Sequence, residues 1–142
     1  MSAQTPVQNT WKVLVTAEET GGRVAIVEGC LRHGTAPPRH VHSREDVYVY
    51  VLCGRLSFVL GGERYECTAG SGLLLPRGDE HVFTVETSSA CALLVITPAG
   101  LETCLGELEE LERDSADGHH IERLIALAAR FGVAITGPAR SP

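Results

Sequence analysis

Two histidines separated by a single residue, His40 and His42, lie in the stretch PPRHVHSREDVYVYVLCG. In an extended strand, alternate side chains share a face, so both imidazoles point the same way and lie about 7 Å apart at the backbone. Two imidazoles at this distance can bind one metal ion. Left unpaired in an apolar interior, each polar ring would cost about 1–3 kcal/mol. The pair alone is also compatible with exposed loop histidines, so a metal site needs a further ligand.

His81 supplies that candidate ligand. It follows a Pro-Gly turn and begins another apolar run in LPRGDEHVFTVE. If His81 faces inward, Phe83 and Val85 share its face because the strand alternates. Three histidines from two neighbouring strands can form one side of a coordination sphere and leave positions for water, substrate or oxygen. The spacing therefore predicts a metal site formed by His40, His42 and His81.

The segments that would position these histidines read as β-strands. Between residues 11 and 97, nine short runs rich in Val, Ile, Leu and aromatic residues are separated by turn residues. Gly61-Gly62 can supply the positive φ angles of a two-residue hairpin turn. Nine short strands at close spacing predict an antiparallel sandwich or barrel over residues 1–98.

The chain changes character after Pro98. Two segments place leucine and isoleucine at helical spacing with acidic residues between them, LETCLGELEELERD and DGHHIERLIALAARFG. Residues 99–142 are therefore predicted to be a helical C-terminal appendage that packs on the barrel or on a partner subunit. His119 and His120 are expected to be exposed at the start of the second helix.

Composition narrows the range of partners. The formal net charge is −6 and the basic residues are scattered, which disfavours nucleic acid and an anionic membrane surface as partners. The apolar runs are too short to span a bilayer, and the N-terminus does not resemble a signal peptide, so a cytoplasmic protein is expected. The five cysteines contain no C-x-x-C pair and are expected to be reduced, buried thiols. Cys53 shares the strand parity of Val47 and could lie at the end of the pocket.

Two motifs resemble those of the cupin superfamily, namely Gly34-x5-His40-x-His42 continuing to Gly54, and Gly70-x5-Pro76-x-Gly78-x2-His81. The resemblance extends over residues 20–97, and the helical tail is similar to that of small bacterial single-domain cupins of the quercetin dioxygenase type. The resemblance implies an all-β fold, the double-stranded β-helix or jelly-roll barrel, with a metal ion inside it and often a homodimer.

The chain departs from this pattern at two positions. The glutamate ligand of the first motif falls on Val47, and the asparagine that often ends the second motif falls on Val85. Asp46 would reach the interior only through a one-residue slip that turns the rest of the strand inside out. Whether Asp46 or water replaces the missing glutamate stays open, and Glu45 is expected to be solvated. A site of three neutral imidazoles favours anionic or enolate-like ligands because the ion keeps its full charge.

These features predict a metal-dependent enzyme that acts on an aromatic or enolisable small molecule. An oxygen-dependent, dioxygenase-like reaction is the first hypothesis, with iron as the favoured metal and zinc, nickel or manganese as alternatives. Glu28 is the candidate catalytic base if it faces inward, and an outward position is the alternative. The residues expected to contact substrate are apolar and share the inward face: Val47, Val49, Val51, Phe83 and Val85.

Two other functions fit the same residues. One is a metal-assisted cyclase or isomerase of a natural-product pathway, in which the metal polarises a carbonyl without redox change. The other is a non-catalytic cupin that has lost its metal with its glutamate and holds a small organic ligand.

Overall fold

The computed structural model describes residues 8–113 and 120–139. In chain order, the elements are β1 (Thr10–Val15), α1 (Ala17–Thr20), β2 (Ala25–Arg32), β3 (Arg39–His42), β4 (Asp46–Cys53), β5 (Arg55–Leu60), β6 (Glu63–Thr68), β7 (Gly72–Leu75), β8 (His81–Val85), β9 (Ser89–Thr97), α2 (Leu101–Arg113), α3 (His120–Arg130) and β10 (Val133–Gly137). The expected strands between residues 11 and 97 are all present.

The strands form two five-stranded antiparallel sheets. The first sheet has the order β1-β2-β9-β4-β7, and the second has the order β10-β3-β8-β5-β6. Gly61 and Gly62 join β5 to β6 with φ angles of 58° and 86°, as the hairpin turn requires. The predicted all-β fold, a double-stranded β-helix with a short helical tail, is confirmed.

Strand alternation builds the core between the sheets. On β4, Val47, Val49 and Val51 are buried, whereas Tyr48 and Tyr50 are exposed on the opposite face. The largest fully buried side chains come from both sheets: Phe58, Ile96, Val27, Val51 and Val85. Each such side chain contributes about 1.5–3 kcal/mol to folding, since its apolar surface is removed from water.

A β-bulge interrupts the pairing of β4 with β9. Val51 lies opposite Ala92, but the next paired residue of β4 is Cys53, opposite Cys91, so Leu52 is the extra residue. A bulge of this kind reverses the parity of the residues that follow it. The expectation that Cys53 could lie at the end of the pocket was therefore wrong: it sits beside Cys91, and neither thiol lines the cavity described below.

The C-terminal tail contributes a β-strand to the fold as well as two helices. Helix α2 contacts β1 and β2, and α3 contacts α2 and β10. Strand β10, which the sequence analysis did not predict, pairs with β3 at the edge of the second sheet, with Val133 opposite His42 and Ile135 opposite His40. His119 lies outside the described residues. No helix in the described part of the chain has the length and hydropathy needed to span a membrane.

Candidate metal centre

The three histidines converge from two hydrogen-bonded strands. On β3, His40 and His42 share a face, and His40 lies directly opposite His81 of β8. One ring nitrogen from each histidine lies within 4.8 Å of the other two, and His42 and His81 are buried. The second sheet therefore brings together all three residues that the spacing predicted as metal ligands.

A hydrogen bond fixes the tautomer of each imidazole. The Nδ1 atom of His40 lies 2.8 Å from the Pro38 carbonyl oxygen, and that of His81 lies 3.3 Å from the Asp79 carbonyl oxygen. The Nδ1 atom of His42 lies 2.8 Å from Oε1 of Glu45. Because each of these oxygens can only accept, Nδ1 carries the proton and Nε2 keeps a lone pair. Three imidazoles held in this tautomer are arranged as metal ligands usually are.

Local sequence explains how these acceptors come into place. Pro38 has a fixed φ angle and presents its carbonyl to His40, two residues along the chain. Before His81, Gly78 adopts a φ of 85°, and its N–H donates to the His42 carbonyl at 2.8 Å. This turn ties the start of β8 to the end of β3, so the Pro-Gly sequence sets the position of His81.

Glu45 is a residue beside the histidines whose position was predicted wrongly. It was expected to be solvated, but it is only 3% exposed and accepts the hydrogen bond from His42. The sequence feature that could have indicated this contact is the spacing of three residues between His42 and Glu45, across the tight turn SRED. A buried carboxylate needs a partner, and the histidine N–H provides one.

Burial keeps two of the histidines uncharged. Desolvation is the main reason that the pKa of His40 falls from 6.5 to about 4, and His42 contributes in the same direction. Desolvation, followed by the proximity of His40 and His42, lowers the pKa of His81 to about 3. Both rings are therefore neutral at pH 7, which is the form that binds a metal.

The missing glutamate is not replaced by its neighbour. Val47 is 3% exposed and lines the cavity beside the histidines, as its strand parity predicts. Asp46 points away and binds Arg77 instead, accepting from the backbone N–H at 2.9 Å and from Nη2 at 3.1 Å. The one-residue slip that would have made Asp46 a ligand does not occur. Water therefore remains the open alternative for that position.

The histidines face a cavity of about 730 Å³ between the sheets. Of the residues expected to contact substrate, Val47, Val49 and Phe83 line it. Val51 and Val85 were placed on the correct face but do not line the cavity, because each is fully buried in the core farther along its strand.

Glu28 does not belong to the site. On β2, the residues Ala25, Val27, Gly29 and Leu31 are buried, and Glu28 alternates with them on the other face. Gly29 and Leu31 line the cavity whereas Glu28 does not. The inward orientation required of a catalytic base is therefore wrong, and the outward alternative is correct.

The helices line one side of the cavity and add polar groups that the sequence did not reveal. Glu112 of α2 and His120 of α3 line it, which corrects the expectation that His120 is exposed. Burial raises the pKa of Glu112 above its ordinary value. Cys104 also lines the cavity, and burial raises the pKa of its thiol to about 11, so the thiol is protonated. Among the described residues, the buried Nδ1 of His120 and Nε1 of Trp11 have no hydrogen-bond partner.

The residues present fit a divalent metal ion. Three imidazole nitrogens converge at the wall of a largely apolar cavity, and all three rings have the hydrogen-bonded support expected of ligands. This donor set suits zinc, iron, nickel or copper better than magnesium or calcium, which prefer oxygen. The fold and the site together define a double-stranded β-helix with a cluster of three histidines that could hold a metal ion.

Residues 27–97, half of the chain, match the Cupin domain family, and the protein belongs to this family. Polyketide synthase CurC of Streptomyces cyaneus is 29% identical over 96 residues, which are 67% of this chain and 61% of the relative. The chain thus spans less than two thirds of the length of that relative.

Solved structures show the same fold. The polyketide cyclase RemF from Streptomyces resistomycificus has a TM-score of 0.56 at 24% identity, covering 70% of this chain and 71% of the other. KdgF from Halomonas sp. has a TM-score of 0.61 at 17% identity, covering 71% of this chain and 88% of the other. At these identities the similarity establishes the fold.

Proposed function

We propose that this protein is a metal-dependent cupin that cyclises an enolisable polycarbonyl compound of the polyketide class without redox change. The convergence of three imidazoles on an apolar cavity carries the proposal. The relative named a polyketide synthase and the solved structure named a polyketide cyclase support the choice of substrate class. This proposal favours the cyclase alternative over the dioxygenase-like reaction that was the first hypothesis.

His40, His42 and His81 would hold the metal through Nε2. When bound, a divalent ion supplies Lewis-acid polarisation of a carbonyl and stabilises negative charge on an enolate oxygen. The three proposed ligands include no carboxylate, so the charge of a bound ion would not be neutralised within the ligand set. In the low-dielectric surroundings of the cavity, that charge attracts an anionic substrate more strongly than it would in water.

The cavity walls would orient and shield the substrate. Val47, Val49 and Phe83 present apolar surface next to the histidines, and side chains of helices α2 and α3 line the cavity as well. A volume of about 730 Å³ is within the range of pockets that bind ligands of drug size. A bound substrate that fills this apolar space would displace water, which limits hydrolysis of a reactive polycarbonyl chain.

Glu112, rather than Glu28, is the carboxyl group proposed to act as the base, which accepts a proton from the substrate and holds it during the reaction. It lines the cavity, and its raised pKa brings it closer to the range in which a carboxyl exchanges protons at neutral pH. The substitution Glu112→Gln keeps the shape and removes the titration. We expect it to lower kcat more than it changes KM and to remove the acidic limb of the pH profile of kcat. An unchanged profile would remove Glu112 from the mechanism.

The test of function is turnover of a synthetic poly-β-ketone N-acetylcysteamine thioester by metal-loaded protein, with product mass and oxygen uptake recorded together. Cyclisation predicts a product formed by loss of water with no oxygen consumed. Oxygen consumed in proportion to product would instead support the dioxygenase-like reaction. Binding of the thioester without turnover would favour the ligand-binding alternative.

A matched pair of histidine variants makes this test specific. The substitution His81→Ala removes one converging nitrogen, so product formation should fall to background. The control His33→Ala removes an exposed histidine whose Nδ1 bonds to the Thr87 carbonyl, outside the cavity, and should leave turnover unchanged. Equal activity in the two variants would contradict the proposed role of the three histidines.

A further inference from the structure

Three cysteines form a row across the first sheet, on the face opposite the cavity. In the register of β2 with β9, Cys30 lies directly opposite Cys91. In the register of β9 with β4, Cys91 lies directly opposite Cys53, because the bulge at Leu52 brings Cys53 into that position. Cys91 therefore stands between two thiols on the adjacent strands.

The sulfur atoms of Cys30 and Cys91 lie 2.8 Å apart. Residues directly opposite each other in an antiparallel sheet have Cα atoms about 4.5–5.5 Å apart, within the range of about 4.4–6.8 Å that a disulfide spans. Burial, followed by hydrogen bonding with Cys30 and Cys53, raises the pKa of the Cys91 thiol above its ordinary value. The strand register itself thus places this pair in position to form a bond.

Geometry favours a disulfide over a metal for this row. Two thiolates on a tetrahedral zinc ion at about 2.3 Å would lie about 3.8 Å apart, farther than the observed separation of Cys30 and Cys91. A disulfide needs about 2.05 Å, which a small rotation of the two side chains can reach. In the described part of the chain, the only group of three potential metal ligands within mutual reach is the histidine cluster.

We propose that Cys91 is a thiol–disulfide exchange site that forms a disulfide with Cys30, and that Cys53 is its alternative partner. Cys30, Cys53 and Cys91 are partly exposed, whereas Cys67 and Cys104 are buried. A small-molecule disulfide can therefore reach the row from the outer face of the sheet, whereas Cys104 lies on the wall of the cavity and Cys67 is buried. The expectation of five uniformly buried thiols does not hold for these three.

The reaction balances with a small disulfide as the oxidant. Cys30, as the thiolate, attacks one sulfur of the small disulfide, which forms a mixed disulfide and releases one small thiol. The thiolate of Cys91 then attacks the Cys30 sulfur, forms the internal bond and releases the second small thiol. The two protein thiols lose two electrons and two protons, and the small disulfide is reduced to two thiols.

The experiment treats the reduced full-length protein, natively folded, with 2-hydroxyethyl disulfide, and then unfolds it in guanidinium chloride with excess iodoacetamide, so that every remaining thiol is alkylated. Peptide masses after trypsin digestion locate the bond, since Cys30 lies in peptide 24–32, Cys53 in peptide 45–55 and Cys91 in peptide 78–113. We expect two of the five thiols to escape alkylation and peptide 24–32 to be linked to peptide 78–113. A Cys104→Ala background removes the second cysteine of peptide 78–113.

Two variants decide the assignment. In Cys30→Ser, the bond should move to Cys53 and link peptide 45–55 to peptide 78–113. In Cys91→Ser, internal disulfides should fall to background and only mixed disulfides should remain. Five alkylated thiols in the wild type, or an internal disulfide in Cys91→Ser at the wild-type level, would overturn the site. Absence of the new link in Cys30→Ser would overturn the role of Cys53.

This inference is independent of the proposed function. The row faces away from His40, His42 and His81, so metal content should be the same in the reduced and oxidised protein. Oxidation that expels the metal would contradict the separation of the two faces.

Discussion

At the scale of single residues, the candidate site is defined by what stands at Val47 and Glu45. Val47 places an apolar side chain where related motifs carry a carboxylate, so the ligand set has no acid. Glu45 is not one of the proposed ligands, but its carboxyl group accepts a hydrogen bond from Nδ1 of His42. The carboxyl group of Glu45 therefore positions an imidazole and does not join the proposed ligands, so substitutions at Val47 and at Glu45 are expected to change metal affinity in opposite directions.

Restoring the carboxylate should strengthen metal binding. We expect Val47→Glu to bind zinc more tightly than the wild type, since a charged oxygen would join the three nitrogens. The same substitution should destabilise the metal-free protein, because a buried carboxylate without a partner is costly. Competition against a chelator of known affinity measures the first effect. Val47→Gln is the matched neutral control, and equal zinc affinity for the two variants would show that residue 47 does not face the ion.

Removing the carboxylate behind His42 should weaken metal binding. We expect Glu45→Ala to lose about 10–100-fold in zinc affinity, because the imidazole would no longer be fixed in its tautomer and orientation. Glu45→Gln retains an accepting oxygen and should lose less. Asp46→Ala is the control, since it removes the adjacent carboxylate, which binds Arg77 and not the histidines. Zinc affinity that is the same in Glu45→Ala and Asp46→Ala would exclude this positioning role.

At the scale of elements, strand alternation explains what the sequence could predict. His40, His42 and Val47 were placed correctly because side-chain period is fixed within a strand. Glu28 was ambiguous because an isolated polar residue does not show which face is inward. Cys53 was misplaced because a bulge changes parity at a point that composition does not mark.

The strand in the C-terminal tail could not be predicted from the sequence pattern for a different reason. Strand β10 follows α3 after Gly132, and its five residues are too few for a clear alternation. Its sequence VAITG, bounded by Gly132 and Pro138, is a short signal rich in β-branched residues. The position of β10 beside β3 depends on long-range pairing, which local pattern does not encode.

The helices are expected to stabilise the cavity wall through a few buried side chains. Leu127 of α3 is buried in the core and lines the cavity, whereas Ile125 on the same helix is 47% exposed. We expect Leu127→Ala to lower the free energy of unfolding by about 2–5 kcal/mol through lost burial and a larger cavity. Ile125→Ala should cost much less. Urea denaturation measures both, and equal losses would mean that α3 does not line the cavity.

At the scale of the whole molecule, the buried histidines couple stability to pH. In the unfolded chain a histidine binds a proton near pH 6.5, whereas His40 and His81 stay neutral in the fold down to about pH 4 and 3. Between these values the unfolded state binds more protons, so folding stability falls as pH decreases from 6.5. Above pH 6.5 the two histidines contribute no such loss.

Chemical denaturation of the metal-free protein between pH 7 and pH 4 tests this coupling. The double variant His40→Gln/His81→Gln should show a smaller loss of stability on acidification than the wild type, because two groups that favour the unfolded state at low pH are gone. His33→Gln should retain the wild-type dependence. A double variant with the wild-type slope would show that these rings titrate normally in the fold.

The assembly state of the molecule stays a prediction. The cupin resemblance implies a homodimer, and light scattering of the reduced protein after size-exclusion chromatography should give twice the mass of one chain. A mass equal to one chain across the micromolar range would contradict it.

The proposal for the site is that three imidazoles from β3 and β8 hold one divalent metal ion. X-ray absorption at the metal edge, combined with elemental analysis of untagged protein, measures both the coordination and the amount of metal. We expect about one ion per chain, coordinated by three imidazole nitrogens at about 2.0–2.1 Å for zinc. Bound metal without imidazole scattering, or metal content that is unchanged in His81→Ala, would contradict it.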